Sequence, residues 1–120
     1  MKKIEAIIRK TKFDEVKEAL LAADIEWFSY TDVRGVGKSR KERIYRGVIY
    51  NTDIIERTML TIVVRSQNAD RTVDAILKSA QTGEVGDGRI FVSEVTESYR
   101  IRTGERGDIS LYLPDEEKLK

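Results

Sequence analysis

Apolar positions recur along the chain at two spacings, one typical of strands and one typical of helices. Short apolar, β-branched or aromatic runs predict four strands, at Lys3–Arg9, Trp27–Val36, Met59–Val64 and Arg89–Val95. Spacings of three and four predict two helices, at Phe13–Ala23 and Asp70–Ala80. The order of these elements predicts an α+β, ferredoxin-like βαββαβ domain, with both helices on one face of an antiparallel sheet. Because Met59–Val64 is continuously apolar, we expect this strand in the interior of the sheet.

Two stretches are longer than a minimal version of this fold requires. Residues 37–54 join the second and third strands, and connections longer than about 12–15 residues are usually functional or disordered. This segment opens with the charged run 38–43 and becomes apolar and aromatic from Tyr45 to Tyr50. We therefore predict one domain at 1–107 with a long loop at 37–54, followed by a solvated C-terminal tail at 108–120.

Composition narrows the classes of function. The chain has no His and no Cys, which removes the commonest general base, the commonest metal ligand and any thiolate site. Its 22 basic and 21 acidic residues give a net charge of +1, which argues against a general nucleic-acid or acidic-membrane binder. No segment has the apolar length of a membrane span or a signal-peptide core. We expect a soluble cytoplasmic protein that is not an enzyme and holds no metal.

A glycine-rich segment, Gln81-Thr82-Gly83-Glu84-Val85-Gly86-Asp87-Gly88-Arg89, lies between the second helix and the fourth strand. Its three glycines let backbone N–H groups approach an anion, and Arg89 adds a guanidinium group suited to a phosphate. The alternative is a helix C-cap followed by an ordinary turn, and spacing alone favours that alternative.

Two further segments join cations to loops or strand ends. In Arg100-Ile101-Arg102, alternation places both arginines on the same side of an extended segment, where they repel unless an anion lies between them. The alternative is a solvated pair on an edge. Gly35-Val36-Gly37-Lys38 again combines glycine with a cation. Together, the three signals suggest a polyphosphate site assembled from separate segments.

Several segments match those of a known family in order along the chain. They are Met-Lys-Lys-Ile-Glu-Ala-Ile-Ile at 1–8, Tyr-Arg-Gly-Val-Ile-Tyr at 45–50, Thr-Gly-Glu-Val-Gly-Asp-Gly-Arg-Ile-Phe at 82–91 and Arg-Ile-Arg-Thr-Gly at 100–104. On these segments, residues 1–107 resemble the PII nitrogen-regulatory signal-transduction proteins. The segments at 82–91 and 100–104 are the most specific, and the false-positive risk of single motifs shrinks when several occur in order.

The resemblance implies a homotrimer that binds ATP or ADP, with AMP as a further candidate, in three clefts between subunits. Phosphates would contact the loop that ends at Arg89, together with two arginines of a neighbouring subunit. The matching nucleotide-binding positions are Ile7, Ser29, Gly37, Lys38, Thr61, Val63, Gly86, Asp87, Gly88, Arg89, Arg100 and Arg102.

The resemblance also implies a regulated partner, which is a transporter, an enzyme or a regulator. The matching partner-loop positions are Arg40, Lys41, Arg43, Tyr45, Arg46 and Tyr50. The arginine matching Arg46 enters the pore of an ammonium transporter in some members, and the tyrosine matching Tyr50 is uridylylated in others. For Tyr50, a plain loop aromatic is the favoured interpretation. ATP and ADP would favour different loop conformations through their differential contacts.

One departure from the family bears on its other effectors. Ser39 stands where 2-oxoglutarate-sensing members have a glutamine that ligates magnesium, and its shorter side chain cannot reach the same metal position. Arg57 matches the basic residue that meets the effector's carboxylate. The resemblance therefore supports nucleotide binding more strongly than binding of magnesium and 2-oxoglutarate, for which Arg57 stays a candidate contact.

Two alternatives share parts of this pattern. An RNA-recognition module has the same element order, but it needs aromatic rings on its central strands, and the fourth-strand segment offers only Phe91. A slow nucleotide hydrolase would draw on Glu84 and Asp87 in the glycine-rich segment. No base, nucleophile and orienting group can be named together, as a catalytic site requires.

Overall fold

The computed structural model describes the backbone of residues 1–45 and 48–112, and the side chains of those residues outside 38–53. The strands and helices, in chain order, are β1 (Lys2–Ile8), α1 (Phe13–Ala22), β2 (Ser29–Tyr45), β3 (Val48–Val64), α2 (Ala69–Ala80) and β4 (Gly88–Glu94). A short 3-10 turn leads into each α-helix, and another spans Asp108–Leu111. The predicted βαββαβ order is confirmed.

The sheet is antiparallel throughout, with the strand order β2-β3-β1-β4. The two strands that carry the apolar runs, β1 and β3, are therefore interior, and β2 and β4 form the edges. The interior place of β3 agrees with its continuous apolar sequence. This order brings the start of β4 beside the end of β1, where Ile8 pairs with Gly88.

The core lies between the helices and one face of the sheet, as the sequence predicts. Alternate residues of β1 and β3 point to this face because side chains in a strand alternate between faces. The buried apolar side chains that meet there include Ile4, Ala6, Ile8, Leu60 and Ile62 from the sheet, and Val16, Leu20, Ile76 and Ala80 from the helices. Burying each Ile, Leu or Val side chain contributes roughly 1.5–3 kcal/mol. Within residues 1–45 and 48–112, both α-helices pack on this face and none lies on the opposite face of the sheet.

The connection between β2 and β3 differs from the predicted loop. Both strands continue through most of residues 37–54, with Gly37 pairing with Asp53, and Tyr45 with Val48. The register shifts between Lys38 and Arg43, within the charged run. The β-branched and aromatic residues of 44–50 favour paired strands over an irregular loop. The long connection predicted between the second and third strands is thus present, and the two strands pair along most of its length.

The C-terminal boundary also lies later than predicted. The chain folds through Tyr112, five residues beyond the proposed end at 107, and residues 113–120 lie outside the described part. The Ser110 hydroxyl donates to Ser98 Oγ at 2.7 Å, and the Arg65 guanidinium lies 4.5 Å from the centre of the Tyr112 ring. The first part of the predicted solvated tail is thus packed against the domain.

Within the described ranges, no helix combines the length and the apolar character that a membrane crossing requires.

Candidate functional site

The helix-free face of the sheet gathers the positions expected to contact adenine and ribose. Ile7 alternates with buried residues of β1 and pairs across the strands with Arg89 of β4. On the other side, Ser29 pairs with Thr61, and its hydroxyl donates to the Thr61 carbonyl at 3.4 Å. Val63 follows Thr61 by two residues and so shares its face. The register brings all five residues, from four strands, onto one surface.

The glycine loop, residues 82–88, is built around the carboxylate of Asp87. The backbone N–H groups of Thr82 and Gly83 donate to Asp87 Oδ2 at 2.8 and 2.9 Å. The Thr82 hydroxyl donates to Asp87 Oδ1, and Arg9 Nε donates to the same oxygen at 3.0 Å. The Thr82 hydroxyl, followed by its backbone N–H, holds the pKa of Asp87 well below the usual range, against the opposing effect of desolvation. The carboxylate therefore organises the loop from inside.

Two glycines of the loop allow it to lie directly against β1. Gly88 has a φ of 106°, and a Cβ atom at this position would lie 1.7 Å from the carbonyl oxygen of Ile7. Gly86 has a φ of 100°, and its Cβ would lie 3.2 Å from Arg57 Nη2 and 3.3 Å from Arg9 Nη2. Positive φ and close approach both favour glycine at these positions. At these two residues glycine allows close approach to β1 and to the two arginines, and the predicted approach of an anion stays a prediction.

Two arginines support the loop from the sheet. Arg57 Nη2 donates to the Gly86 carbonyl at 3.0 Å, and Arg9 Nη2 donates to the Val85 carbonyl at 3.1 Å. Arg57 therefore contacts the loop backbone. The family resemblance implies a different partner for it, the carboxylate of an effector. Arg9 was not among the predicted site residues, although it follows Ile7 by two positions, and alternation along β1 would have indicated the same face. Arg89, which follows the loop, is exposed. Three guanidinium groups therefore lie at the corner of the sheet where the glycine loop meets the end of β1.

The arginine turn, residues 100–104, corrects the prediction of an extended segment. The Gly104 N–H donates to the Arg100 carbonyl at 2.7 Å, and residues 101–103 form a turn, so alternation does not apply. The Arg100 side chain is only 15% exposed, and its Nη1 donates to Glu105 Oε1 at 3.0 Å. Arg102 is exposed. The two guanidinium groups therefore have different environments within one chain.

The remaining predicted positions lie on the β2–β3 hairpin. Gly37 is part of β2, and a Cβ atom there would lie 2.8 Å from Cδ1 of Ile55. Among the positions named from the sequence, those whose side chains lie outside the described part are Lys38, Ser39, Arg40, Lys41, Arg43, Tyr45, Arg46 and Tyr50.

Comparisons with known proteins agree with this fold and these motifs. The profile of the family "Nitrogen regulatory protein P-II" matches residues 1–105. The chain is 45% identical over 108 residues to the Nitrogen regulatory protein P-II of Bradyrhizobium diazoefficiens, which covers 89% of this chain and 96% of that protein. It is 49% identical over 108 residues to Nitrogen regulatory protein P-II 2 of Methanothermobacter thermautotrophicus, covering 89% and 94% of the two chains.

A solved structure shows the same architecture. The structure of B. subtilis GlnK superposes with a TM-score of 0.77 at 30% sequence identity, covering 91% of this chain and 96% of that one. The likeness extends over nearly the whole described domain. On the profile match, the identities and the shared fold, the chain belongs to the nitrogen regulatory protein P-II family of signal-transduction proteins.

Proposed function

We propose that this PII protein binds ATP or ADP at clefts between three subunits and regulates a partner protein according to which nucleotide is bound. One observation carries the proposal: the helix-free sheet face and the glycine loop are continuous at Ile7. This residue pairs with Arg89 on the sheet face, and its carbonyl oxygen lies under Gly88. A nucleotide with its base and ribose on the sheet would therefore have its phosphates at the loop.

The chemistry of the loop suits a polyphosphate. Gly83, Gly86 and Gly88 all have positive φ, and such backbone conformations form concave N–H surfaces that bind anions. Arg9 offsets the charge of Asp87, so the guanidinium groups of Arg57 and Arg89 leave the corner positive. Each additional phosphate group would add a favourable electrostatic interaction with this positive charge. We therefore expect ATP and ADP to bind more tightly than AMP.

Exposed apolar side chains support a site completed by other copies of the chain. Val85 in the glycine loop is 74% exposed, and Phe91, on the sheet face with Arg89, is 53% exposed. Ile101 of the arginine turn is 98% exposed. Exposed apolar groups around a polar site are typical of surfaces that associate. The homotrimer proposed from family membership would cover them.

A physical route links the loop to the β2–β3 hairpin. Arg57 holds the Gly86 carbonyl and pairs with Val33 of β2, while β3 continues from Arg57 into the hairpin. Phosphates that contact the loop or Arg57 would change the contacts at the base of this hairpin. ATP and ADP would then favour different hairpin conformations, and a partner would select one of them. The partner is a transporter, an enzyme or a regulator.

The two alternative functions gain no support. The Asp87 carboxylate already accepts four hydrogen bonds, and its lowered pKa makes it a poor general base for hydrolysis. An RNA-recognition sheet stacks bases on aromatic side chains of its central strands. The paired residues on the helix-free face of β1 and β3 are not aromatic, so they cannot stack bases in this way. They are Lys3, Glu5, Ile7, Met59, Thr61 and Val63.

Calorimetric titration of the purified protein with ATP, ADP and AMP tests the proposal. Replacing Arg89 by Ala removes an exposed cation from the proposed phosphate site, so we expect ATP affinity to fall about 10- to 100-fold with little change in unfolding. The matched control is Arg71→Ala, which removes an exposed arginine from α2. This control should bind ATP like the unaltered chain.

Two results would count against the proposal in different ways. If the unaltered protein binds none of the three nucleotides, nucleotide binding is wrong. If it binds ATP but Arg89→Ala and Arg71→Ala have equal affinities, nucleotide binding stands and the phosphate site lies elsewhere.

A further inference from the structure

The Arg100 side chain is held by the segment that follows it. Its Nη1 donates to Glu105 Oε1 at 3.0 Å, and its Nη2 donates to the carbonyls of Ile109 at 2.9 Å and Tyr112 at 2.7 Å. One carboxylate and two carbonyl oxygens thus surround a guanidinium group that is only 15% exposed. Phosphate oxygens would use the same N–H donors, because guanidinium groups bind carboxylate and phosphate in similar geometry.

These acceptors are delivered by a folded segment, residues 105–112, which we call the C-terminal strap. Contacts that do not involve Arg100 also hold it. The Ser110 hydroxyl donates to Ser98 Oγ at 2.7 Å, and the ring of Tyr112 lies 4.5 Å from the Arg65 guanidinium carbon. The strap is therefore a defined structure that closes over the arginine.

We propose that the C-terminal strap competes with nucleotide phosphates for Arg100 and so lowers nucleotide affinity while it is closed. This inference rests on the proposed function and on the role that the family resemblance implies for Arg100, which is to contact the phosphates of a nucleotide bound mainly by a neighbouring subunit. Apparent affinity falls in proportion to the fraction of protein whose Arg100 is available. By linkage, bound nucleotide favours the open strap to the same extent. The strap thereby responds to nucleotide at a site distant from the hairpin.

The chain supplies a matched pair of variants. Glu105 and Glu97 both lie beside the arginine turn, and each forms an ion pair with an arginine. Glu105 contacts Arg100, whereas Glu97 accepts from Arg106 Nη2 at 2.7 Å. Glu105→Ala and Glu97→Ala therefore remove the same charge from the same region, and only the first removes an acceptor from Arg100.

The test measures the ATP dissociation constant of the full chain and of both variants by calorimetry, each with and without Arg100→Ala. We expect Glu105→Ala to bind ATP about tenfold more tightly, which corresponds to one charge-assisted hydrogen bond lost from the closed strap. Glu97→Ala removes a contact of the strap residue Arg106 but leaves the three acceptors of Arg100 in place, so its ATP affinity should rise clearly less than that of Glu105→Ala. The gain of Glu105→Ala should vanish when Arg100 is also replaced, because the competition is for that side chain.

Hydrogen exchange gives an independent readout. The Ser110 N–H donates to the Gly107 carbonyl at 3.0 Å, and the Tyr112 N–H donates to the Ile109 carbonyl at 3.2 Å. Exchange at these two amides should rise when ATP is added to the unaltered chain. If Glu105→Ala proves unstable, a chain ending at Gly107, which lacks two of the carbonyl acceptors, must show the same gain in affinity.

The outcomes separate the strap from the site it regulates. If the unaltered chain binds ATP but Glu105→Ala binds no more tightly than Glu97→Ala, the strap proposal is overturned and nucleotide binding stands. If ATP slows exchange at Ser110 and Tyr112, the strap closes on binding, and the proposal is likewise wrong. If no form of the chain binds ATP, both proposals fall.

Discussion

At the glycine loop and at the arginine turn, two charged residues stand two positions apart, and in each pair only one side chain is exposed. At the glycine loop, Asp87 is enclosed by four hydrogen bonds, whereas Arg89, which directly follows the loop, is exposed. In the arginine turn, Arg100 is enclosed and Arg102 is exposed. In each motif, one charge shapes the local backbone and the other remains accessible. The presence of a charged residue in a binding motif therefore does not show that its side chain contacts the ligand.

The two motifs differ in what encloses the inner charge. Asp87 is bound by its own loop and by Arg9 at the end of β1, so the glycine loop is preformed. Arg100 is bound by residues of the C-terminal strap, which follow it by 5 to 12 positions. Segments outside the packed core open more readily than elements that pack on it. In the proposed site, the glycine loop would therefore be the fixed part, and the arginine turn the part that the strap regulates.

The largest effect should follow from breaking the fixed part. In Gly88→Ala, the new Cβ would meet the Ile7 carbonyl oxygen at 1.7 Å, and the φ of 106° is strained for alanine. Backbone atoms of β1 cannot move aside without disturbing strand pairing. We expect the free energy of unfolding to fall by roughly 3 kcal/mol or more. Urea unfolding at fixed subunit concentration measures it, since association adds to apparent stability.

Gly83→Ala is the matched control for that variant. Gly83 also has a positive φ, at 87°, but nothing lies within 4 Å of its Cβ position. The free energy of unfolding of this variant should fall by only about 1 kcal/mol, which is the cost of the strained backbone. Equal losses for both glycines would mean that the close approach to Ile7 does not hold the loop in place.

A smaller effect is expected in the arginine turn. Arg100→Ala leaves Glu105 and two carbonyls of the strap without their charged donor. We expect the free energy of unfolding to fall by about 2 kcal/mol, with faster amide exchange in residues 108–112. Arg102→Ala changes an exposed side chain and should stay within about 0.5 kcal/mol of the unaltered chain.

Exchange measurements on the two arginine variants sharpen the contrast. Of the two variants, we expect Arg100→Ala to accelerate the Tyr112 amide more, because Arg100 donates to the Tyr112 carbonyl, whereas Arg102 is exposed. If Arg102→Ala accelerates it equally, the two arginines hold the strap jointly, and the difference between them disappears.

The fold was predictable because its signals are local and periodic. Short apolar, β-branched runs in β1 and β3, and spacings of three and four in α1 and α2, predict each element to within two residues at the ends that pack on the core. Ile7, Thr61 and Val63 came from the family resemblance, and the strand register places them on one face. The hairpin was harder, because its charged run suggested a loop and its pairing depends on residues from both strands.

The site was predictable only in part because several of its contacts are distant in sequence. Arg9 meets Asp87 across 78 positions, and no spacing rule along the chain relates them. Alternation misplaced Arg100 and Arg102, because it assumes an extended backbone and the segment turns at Gly104. The strap was taken for a solvated tail, since its charge masks the contacts of Ser110 and Tyr112.

The smallest effect concerns the pH dependence of stability at the glycine loop. Folding lowers the pKa of Asp87, so the folded loop favours its ionised form. This contribution is complete above the ordinary aspartate pKa and is lost as pH falls below it. Asparagine keeps one acceptor oxygen but cannot ionise. The stability lost in Asp87→Asn should therefore be largest near pH 7 and shrink as pH is lowered through about 4 toward 2. Urea midpoints measured across this range give the profile.

The control for this profile is Asp74→Asn, which removes one carboxylate from the exposed side of α2. Its profile gives the baseline for removing one exposed carboxylate outside the glycine loop, and the profile of Asp87→Asn should depart from it most near pH 7. Parallel profiles for the two variants would mean that the carboxylate charge of Asp87 adds nothing to the loop. Asp87 would then stabilise its loop through the shape and hydrogen bonds of its side chain and not through its charge. The arginine turn would differ in this respect, because Arg100 forms an ion pair with Glu105.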